Sequence, residues 1–370
     1  MTLLDGITSR VIDTDRLAVG ILERDGDDAS TPPERTIVLI HGNVSSSLFW
    51  QEFMQDLPAD LRVIAIDLRG FGTSEHAPVD ATRGVRDFSD DVHAALTVLG
   101  IPTAHLVGWS MGGGVVMQYA LDHPVLSLTL QAPVSPYGFG GTRRDGSRLT
   151  DDDAGVGGGG ANPDFVQRLT DHDTTDEAPT SPRSVFRSGY VSADYDGVNE
   201  DLWVESMLTT STAEGNYPGD GVASDNWPGF AAGTTGVLNT MAPRYFDTSG
   251  IVDLAVKPPI LWVHGTADAI VSDASFYDLN HLGALGIIPG WPGEEIAPAQ
   301  EMVSQTRDVL DAYRAAGGEV TELELDGVGH APHLERPGAV RQALLAVIGY
   351  IGQPAFPAPP TEAIILSSSD

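Results

Sequence analysis

Gly108-Trp109-Ser110-Met111-Gly112 places a serine midway between two glycines, where an apolar strand-like run, residues 105–107, passes directly into a helical one, 111–121. A sharp strand-to-helix turn lifts such a serine oxygen out of a sheet, and glycines flank it because side chains there would strike neighbouring backbone. The helix start adds free N–H groups and a positive dipole end beside any oxyanion formed at that oxygen. On its own the pentapeptide is equally a serine in a Gly-rich turn.

A serine hydroxyl is unreactive at its free pKa and needs a base that an acid holds in one tautomer. Asp268, in Leu261-Trp262-Val263-His264-Gly265-Thr266-Ala267-Asp268, falls just past the carboxyl end of a strand-like run. His330, in Gly327-Val328-Gly329-His330, follows the next one. Open α/β sheets assemble their sites at those strand ends, in the chain order Ser, Asp, His. Asp273, deeper in the loop, is the alternative acid.

The other histidines carry less. His333 reads as a packing residue or a helix start, and His41 and His264 as structural groups at strand ends. No H-x-x-x-H or H-E-x-x-H spacing occurs, so no catalytic metal is expected. Asp25-Gly26-Asp27-Asp28 and Asp151-Asp152-Asp153 lack the ordered spacing of a calcium loop. The glycines at 138–141 and 155–160 lack the Lys-Ser/Thr of a phosphate cradle.

To bring Ser110, Asp268 and His330 together, the chain must form a parallel sheet. Buried strands are predicted over 36–40, 63–66, 105–107, 126–131, 259–263 and 319–325. Helices are predicted over 49–57, 88–99, 111–121, 299–316 and 339–351, alternating with them as in repeated βα units. From about 133 to 253 the pattern breaks into Gly-, Asp-, Pro- and Thr-rich sequence with scattered aromatics such as Trp203, Tyr217 and Trp227. The division expected is a core over 1–132, an inserted cap over 133–253, the rest of the core over 254–352, and a Pro-rich tail over 353–370 that cannot continue a helix. A second irregular stretch, 282–298, is a candidate wall of the site.

Together the motifs resemble the α/β-hydrolase fold superfamily, over 37–130 and 259–351. They are His41-Gly42-Asn43, Asp67-Leu68-Arg69-Gly70-Phe71-Gly72-Thr73-Ser74, the serine pentapeptide, His264-Gly265-Thr266-Ala267-Asp268 and Gly329-His330-Ala331-Pro332-His333-Leu334-Glu335. The resemblance implies an α/β-hydrolase fold, a mostly parallel twisted sheet flanked by helices, with a cap roofing the nucleophile. It also implies that the backbone N–H groups of Asn43 and Met111 form an oxyanion hole. His41-Gly42-Asn43 with Ser45, Ser46 and Trp50 is similar to the haloalkane dehalogenase and epoxide hydrolase branch, but there the nucleophile is an aspartate. A serine ether would not turn over as an acyl-serine ester does, so acyl transfer fits.

The expected activity is hydrolysis of a carboxylic ester or lactone through an acyl-enzyme on Ser110, without a cofactor. Amide hydrolysis, perhydrolysis and carbon–carbon cleavage by the same triad stay open, as does a weakly catalytic small-molecule receptor on the same fold. Trp109, Phe49 and Trp50 are candidate substrate-binding residues in an apolar site.

Composition bounds the partners. The 370 residues carry 52 acidic and 20 basic side chains, a net charge of −32, with Lys257 as the one lysine and no cysteine. Such a field repels nucleic acid and anionic membranes, and thiolate chemistry is excluded. No 18-residue apolar run and no basic, apolar leader occurs, so a cytoplasmic protein acting on a small molecule is expected, its oligomeric state unknown.

Overall fold

The structure, a computed structural model, describes residues 1–350; the tail expected over 353–370 lies outside the described residues. Eight strands form one sheet in the order β1-β2-β4-β3-β5-β6-β9-β10. They are β1 (Ile7–Asp13), β2 (Ala18–Arg24), β3 (Thr36–Ile40), β4 (Arg62–Ile66), β5 (His105–Trp109), β6 (Ser127–Gln131), β9 (Ile260–Gly265) and β10 (Val320–Leu325). β7 (Gly221–Ala223) and β8 (Phe230–Ala232) form a separate two-stranded ribbon. From β4 to β10 all pairings are parallel, and β1 and β2 join antiparallel at one edge.

Every residue of β3, β4, β5 and β6 is buried. That is what a parallel sheet covered on both faces demands, and why these strands read as continuous apolar runs. Helices Arg86–Val98, Met111–Asp122 and Met302–Ala315 cover one face; Gln51–Asp56 and Pro337–Val347 cover the other.

The β1–β2 hairpin was not legible in the sequence. In β1 only Ile7 and Ile12 are buried, five residues apart, so the period-2 signal of a half-buried strand is broken. The helix expected from 299 starts at Met302, with Glu301 as its N-cap in a non-helical conformation (φ −85°, ψ 69°). The helix expected from 339 starts at Pro337, whose missing N–H costs nothing in the first turn, and is described to Val347.

Residues 133–253 contribute no strand to the large sheet. They carry helices Pro163–Thr170, Pro182–Val185 and Glu200–Leu208, the β7–β8 ribbon and several tight helical turns. Phe186, Tyr190, Leu202, Trp203 and Met207 from this segment are buried in the same continuous apolar core as the sheet. Burial at about 25 cal/mol per Å² of apolar surface therefore ties the insertion to the sheet. No helix among the described residues is long and apolar enough to cross a membrane.

Candidate active site

Ser110 stands at the junction of β5 and helix Met111–Asp122 with φ 57° and ψ −122°. An L-residue held there stores on the order of 1–3 kcal/mol and persists only where its surroundings over-determine it. Here they do. The Ser110 N–H donates to Gln131 O (2.9 Å), and Ser110 O accepts from Gly113 N (2.9 Å) and Val134 N (3.0 Å). A Cβ on Gly112 would collide with the carbonyls of Ile40 and His41, and one on Gly42 would lie 2.8 Å from Ser110 Cβ. Those glycines let β3 and its loop pass against the serine turn.

Asp268 follows β9 and His330 follows β10. The imidazole Nδ1 lies 2.8 Å from Asp268 Oδ2. The other carboxylate oxygen accepts from Ile270 N (2.8 Å) and Val271 N (2.9 Å). With the carboxylate so anchored, Nδ1–H is the donor to it and Nε2 is left as the acceptor, the tautomer general-base work needs. The pair is dry: Asp268 is 5% and His330 2% exposed.

Asp273 does other work. It accepts from Ser304 N (3.0 Å) and Ser304 Oγ (2.6 Å) in the first turn of helix Met302–Ala315.

Ser110, His330, Asn43 and Met111 share the wall of one cavity of about 600 Å³. No hydrogen bond joins the Ser110 hydroxyl to the His330 ring in this structure; such contacts commonly tighten only with substrate bound. Neither the Asn43 nor the Met111 N–H donates to another group among the described residues. The loop bearing Asn43 is tied down from below. His41 Nδ1 donates to Gly42 O (2.8 Å), and its Nε2 accepts from Leu68 N (3.0 Å). Burial holds the His41 pKa down at about 4, consistent with that neutral role. Asp67 accepts from Ser47 N and Thr73 N, both at 2.8 Å.

Phe49, Trp50 and Trp109 are corrected from the sequence reading. All three are fully buried and none lines the cavity. They form the layer beneath it. The Trp109 indole N–H donates to His330 O (2.7 Å), Phe49 stacks between Trp109 and Trp203 at 5.0 and 5.3 Å, and Trp50 lies 4.3 Å from the His333 ring. Trp109 is the last residue of β5, and Phe49 and Trp50 belong to the helical turn Ser47–Trp50, which packs against helix Glu200–Leu208 and the sheet. His333 itself is buried, with both ring nitrogens unpartnered.

Tyr190 had no signal in the sequence, and Glu335 stood in the last motif with no role assigned to it. The Tyr190 hydroxyl donates to Asn43 O (3.0 Å) and Val44 O (3.1 Å), so the insertion braces the loop carrying Asn43. Glu335 accepts from Gly329 N (2.8 Å) and Ser192 N (3.1 Å), tying the His330 loop to the insertion. Leu282 and Ile288, from the second irregular stretch, stand in the cavity wall.

Among the described residues one group could crowd an ion, His264 with Glu322 and Glu324. Arg307 already serves both carboxylates there, at 2.7 and 3.5 Å. The acid-rich loops are likewise committed: Asp27 caps Val63 N (2.8 Å), and Asp153 pairs with Arg148 (2.6 Å) and Arg244 (3.3 Å).

A mostly parallel sheet with a serine on a left-handed strand-to-helix turn and an Asp–His pair beyond two later strands, beside a cavity lined in part by residues 133–253, defines an α/β-hydrolase architecture. Residues 35–301 match the family model described as alpha/beta hydrolase fold, and the chain belongs to that family.

Among curated proteins it is 42% identical over 97 residues to a protein of Variovorax paradoxus (strain S110) provisionally named carbamate hydrolase RutD, covering 25% of this chain and 36% of that one. It is 38% identical over 91 residues to the 2-hydroxymuconate semialdehyde hydrolase of Pseudomonas sp. (strain CF600), covering 24% and 32%. The chain thus spans about a third of the length of these relatives. Among solved structures, the esterase EaEST from Exiguobacterium antarcticum superposes with a TM-score of 0.55 at 16% identity, over 92% of this chain and 100% of that one, a likeness of fold.

Proposed function

We propose that the protein is a serine hydrolase that cleaves a carboxylic ester or lactone of a small, largely apolar substrate through an acyl-enzyme on Ser110. The observation that carries this reading is the anchored Asp268–His330 pair, 2.8 Å apart, beside a cavity whose wall also holds Ser110.

In this mechanism Ser110 Oγ attacks the carbonyl carbon as His330 Nε2 takes its proton, and Asp268 stabilises the imidazolium. The tetrahedral oxyanion sits between the Asn43 and Met111 N–H groups; one donor of that kind supplies about 3 kcal/mol of transition-state stabilisation. His330 then returns the proton to the leaving alkoxide. Water, activated by the same ring, releases the acid and restores Ser110. No cofactor or metal takes part. A predominantly apolar wall, with Val134, Phe139, Leu238 and Met241, supports an apolar substrate.

The test is a burst of nitrophenol from a short-chain ester with one-to-one labelling by a fluorophosphonate. Ser110→Ala is expected to remove both while the protein stays folded. If the folded wild-type protein shows neither, the reading fails in favour of a receptor; turnover of amides or carbon–carbon substrates in preference to esters would move it to those classes.

A further inference from the structure

The ionisable side chains on the cavity wall are one-sided. Apart from His330 they are Tyr190, Tyr217, Tyr277 and Asp278; among the described lining residues none is Lys or Arg. Asp278 cannot swing away. It is 3% exposed, and its two oxygens accept from Asn280 N (3.0 Å) and Gln300 N (2.8 Å) while it caps helix Leu279–Ala284. A second carboxylate, Asp268, stands behind His330.

No cation stands ready to enter from the roof. Five of the insertion's seven arginines pair with its own carboxylates: Arg168 with Asp164 and Asp173 (2.9 and 2.7 Å), Arg183 with Glu200 and Asp201 (2.5 and 2.6 Å), Arg187 with Asp176 and Glu200 (2.8 and 2.7 Å), and Arg148 and Arg244 with Asp153, while Arg144 pairs with Asp308 (2.7 Å) and Arg143 donates to Glu295 O (2.9 Å). The surroundings add to the effect, since the whole chain carries a charge of −32. An anionic group entering this cavity would lose its water and find no lysine or arginine on the wall, with Asp278 on that wall and Asp268 behind His330. At the mouth stand Phe276, 58% exposed, and Tyr277, 42% exposed, both also on the cavity wall. Aromatic faces attract ammonium groups and offer nothing to a carboxylate.

We propose that this cavity selects substrates by charge, taking esters whose acyl and alcohol parts are uncharged or carry an ammonium group and rejecting those with a free carboxylate or phosphate. The inference rests on the reading of Ser110 as the nucleophile and narrows its substrate class.

The experiment compares 4-nitrophenyl esters of one chain length on the intact protein: hexanoate, 6-(trimethylammonio)hexanoate and the mono-ester of adipate. The adipate ester is expected to show kcat/KM at least about tenfold below hexanoate, and the ammonium ester to match or exceed it. Ile288→Arg, which puts a cation on the wall, is expected to narrow the adipate gap. Adipate within about threefold of hexanoate would overturn the charge inference and leave the hydrolase reading intact.

A binding arm on Ser110→Ala, titrating octan-1-ol and octanoate by calorimetry, reads the same selectivity without turnover. Weaker octanoate binding by about tenfold is expected, and equal affinities would overturn the inference. Should no ester turn over on the folded wild-type protein, the Ser110 reading fails and the binding arm decides the charge inference alone.

Discussion

At Asp268 one carboxylate does two jobs with separate atoms. Oδ1 is fixed by the Ile270 and Val271 N–H groups, which leaves Oδ2 aimed at His330 Nδ1. Asp268→Asn keeps the volume but offers His330 an amide that can present the wrong partner and stabilises no imidazolium. Its kcat is expected to fall about 10³–10⁴-fold with the unfolding midpoint little changed; a fall of less than about tenfold would mean the pair is structural.

His333 is a buried base of another kind, unpartnered and pressed against Trp50 and Trp109, with burial first and His330 second lowering its pKa to about 3. Its folded pKa lies below the unfolded value of about 6.5, so the unfolded chain binds the proton first. The stability it contributes is whole above pH ~6.5 and is lost as pH falls toward ~3, at up to about 1.4 kcal/mol per pH unit. Denaturant titrations at pH 7 and 4.5 should show a smaller acid loss for His333→Phe than for wild type. Equal losses would contradict the assignment.

Between elements, the site depends on ties from the insertion to loops of the sheet. Tyr190, in the turn Phe186–Tyr190, holds the carbonyls of Asn43 and Val44, and Val44 sits at φ 45°. Tyr190→Phe removes the two hydrogen bonds and keeps the ring that packs on Trp109. On the proposed mechanism, in which the Asn43 N–H holds the transition-state oxyanion, kcat is expected to drop about tenfold with KM nearly unchanged. An effect on KM alone would recast Tyr190 as a substrate contact.

Such ties were beyond sequence reading, since Tyr190 and Asn43 are 147 residues apart and the insertion has no periodicity to orient its side chains. The elements beneath were easier. β3, β5 and β9 announce themselves as apolar runs because both their faces are covered, whereas β1 does not, its edge position leaving most of its side chains in water.

Over the whole molecule the charge of −32 sets a self-repulsion that local ion pairs relieve in patches, as where Arg69 grips Asp91 at 2.6 and 2.8 Å. Screening shortens the reach of that repulsion from ~30 Å at 0.01 M salt to ~8 Å at 0.15 M. The denaturation midpoint should therefore rise with sodium chloride over that range; a fall would show that attractive pairs dominate the surface.

Residue type and spacing along the chain were enough to mark Ser110, Asp268 and His330 and the parallel sheet that carries them. Strand-end loops and a Gly-flanked serine leave local patterns that no distant contact has to complete. Which aromatics face the substrate was decided only in three dimensions. Phe49, Trp50 and Trp109 lie beside the serine in sequence or motif, yet all three are packed in the buried layer beneath the cavity. The wall is drawn instead from Phe139, Tyr217, Tyr277 and Asp278, brought in by an insertion and a late loop. Direction relative to a sheet face is a property of packing, so only the folded chain could show that this wall is apolar and, apart from His330, carries no basic group.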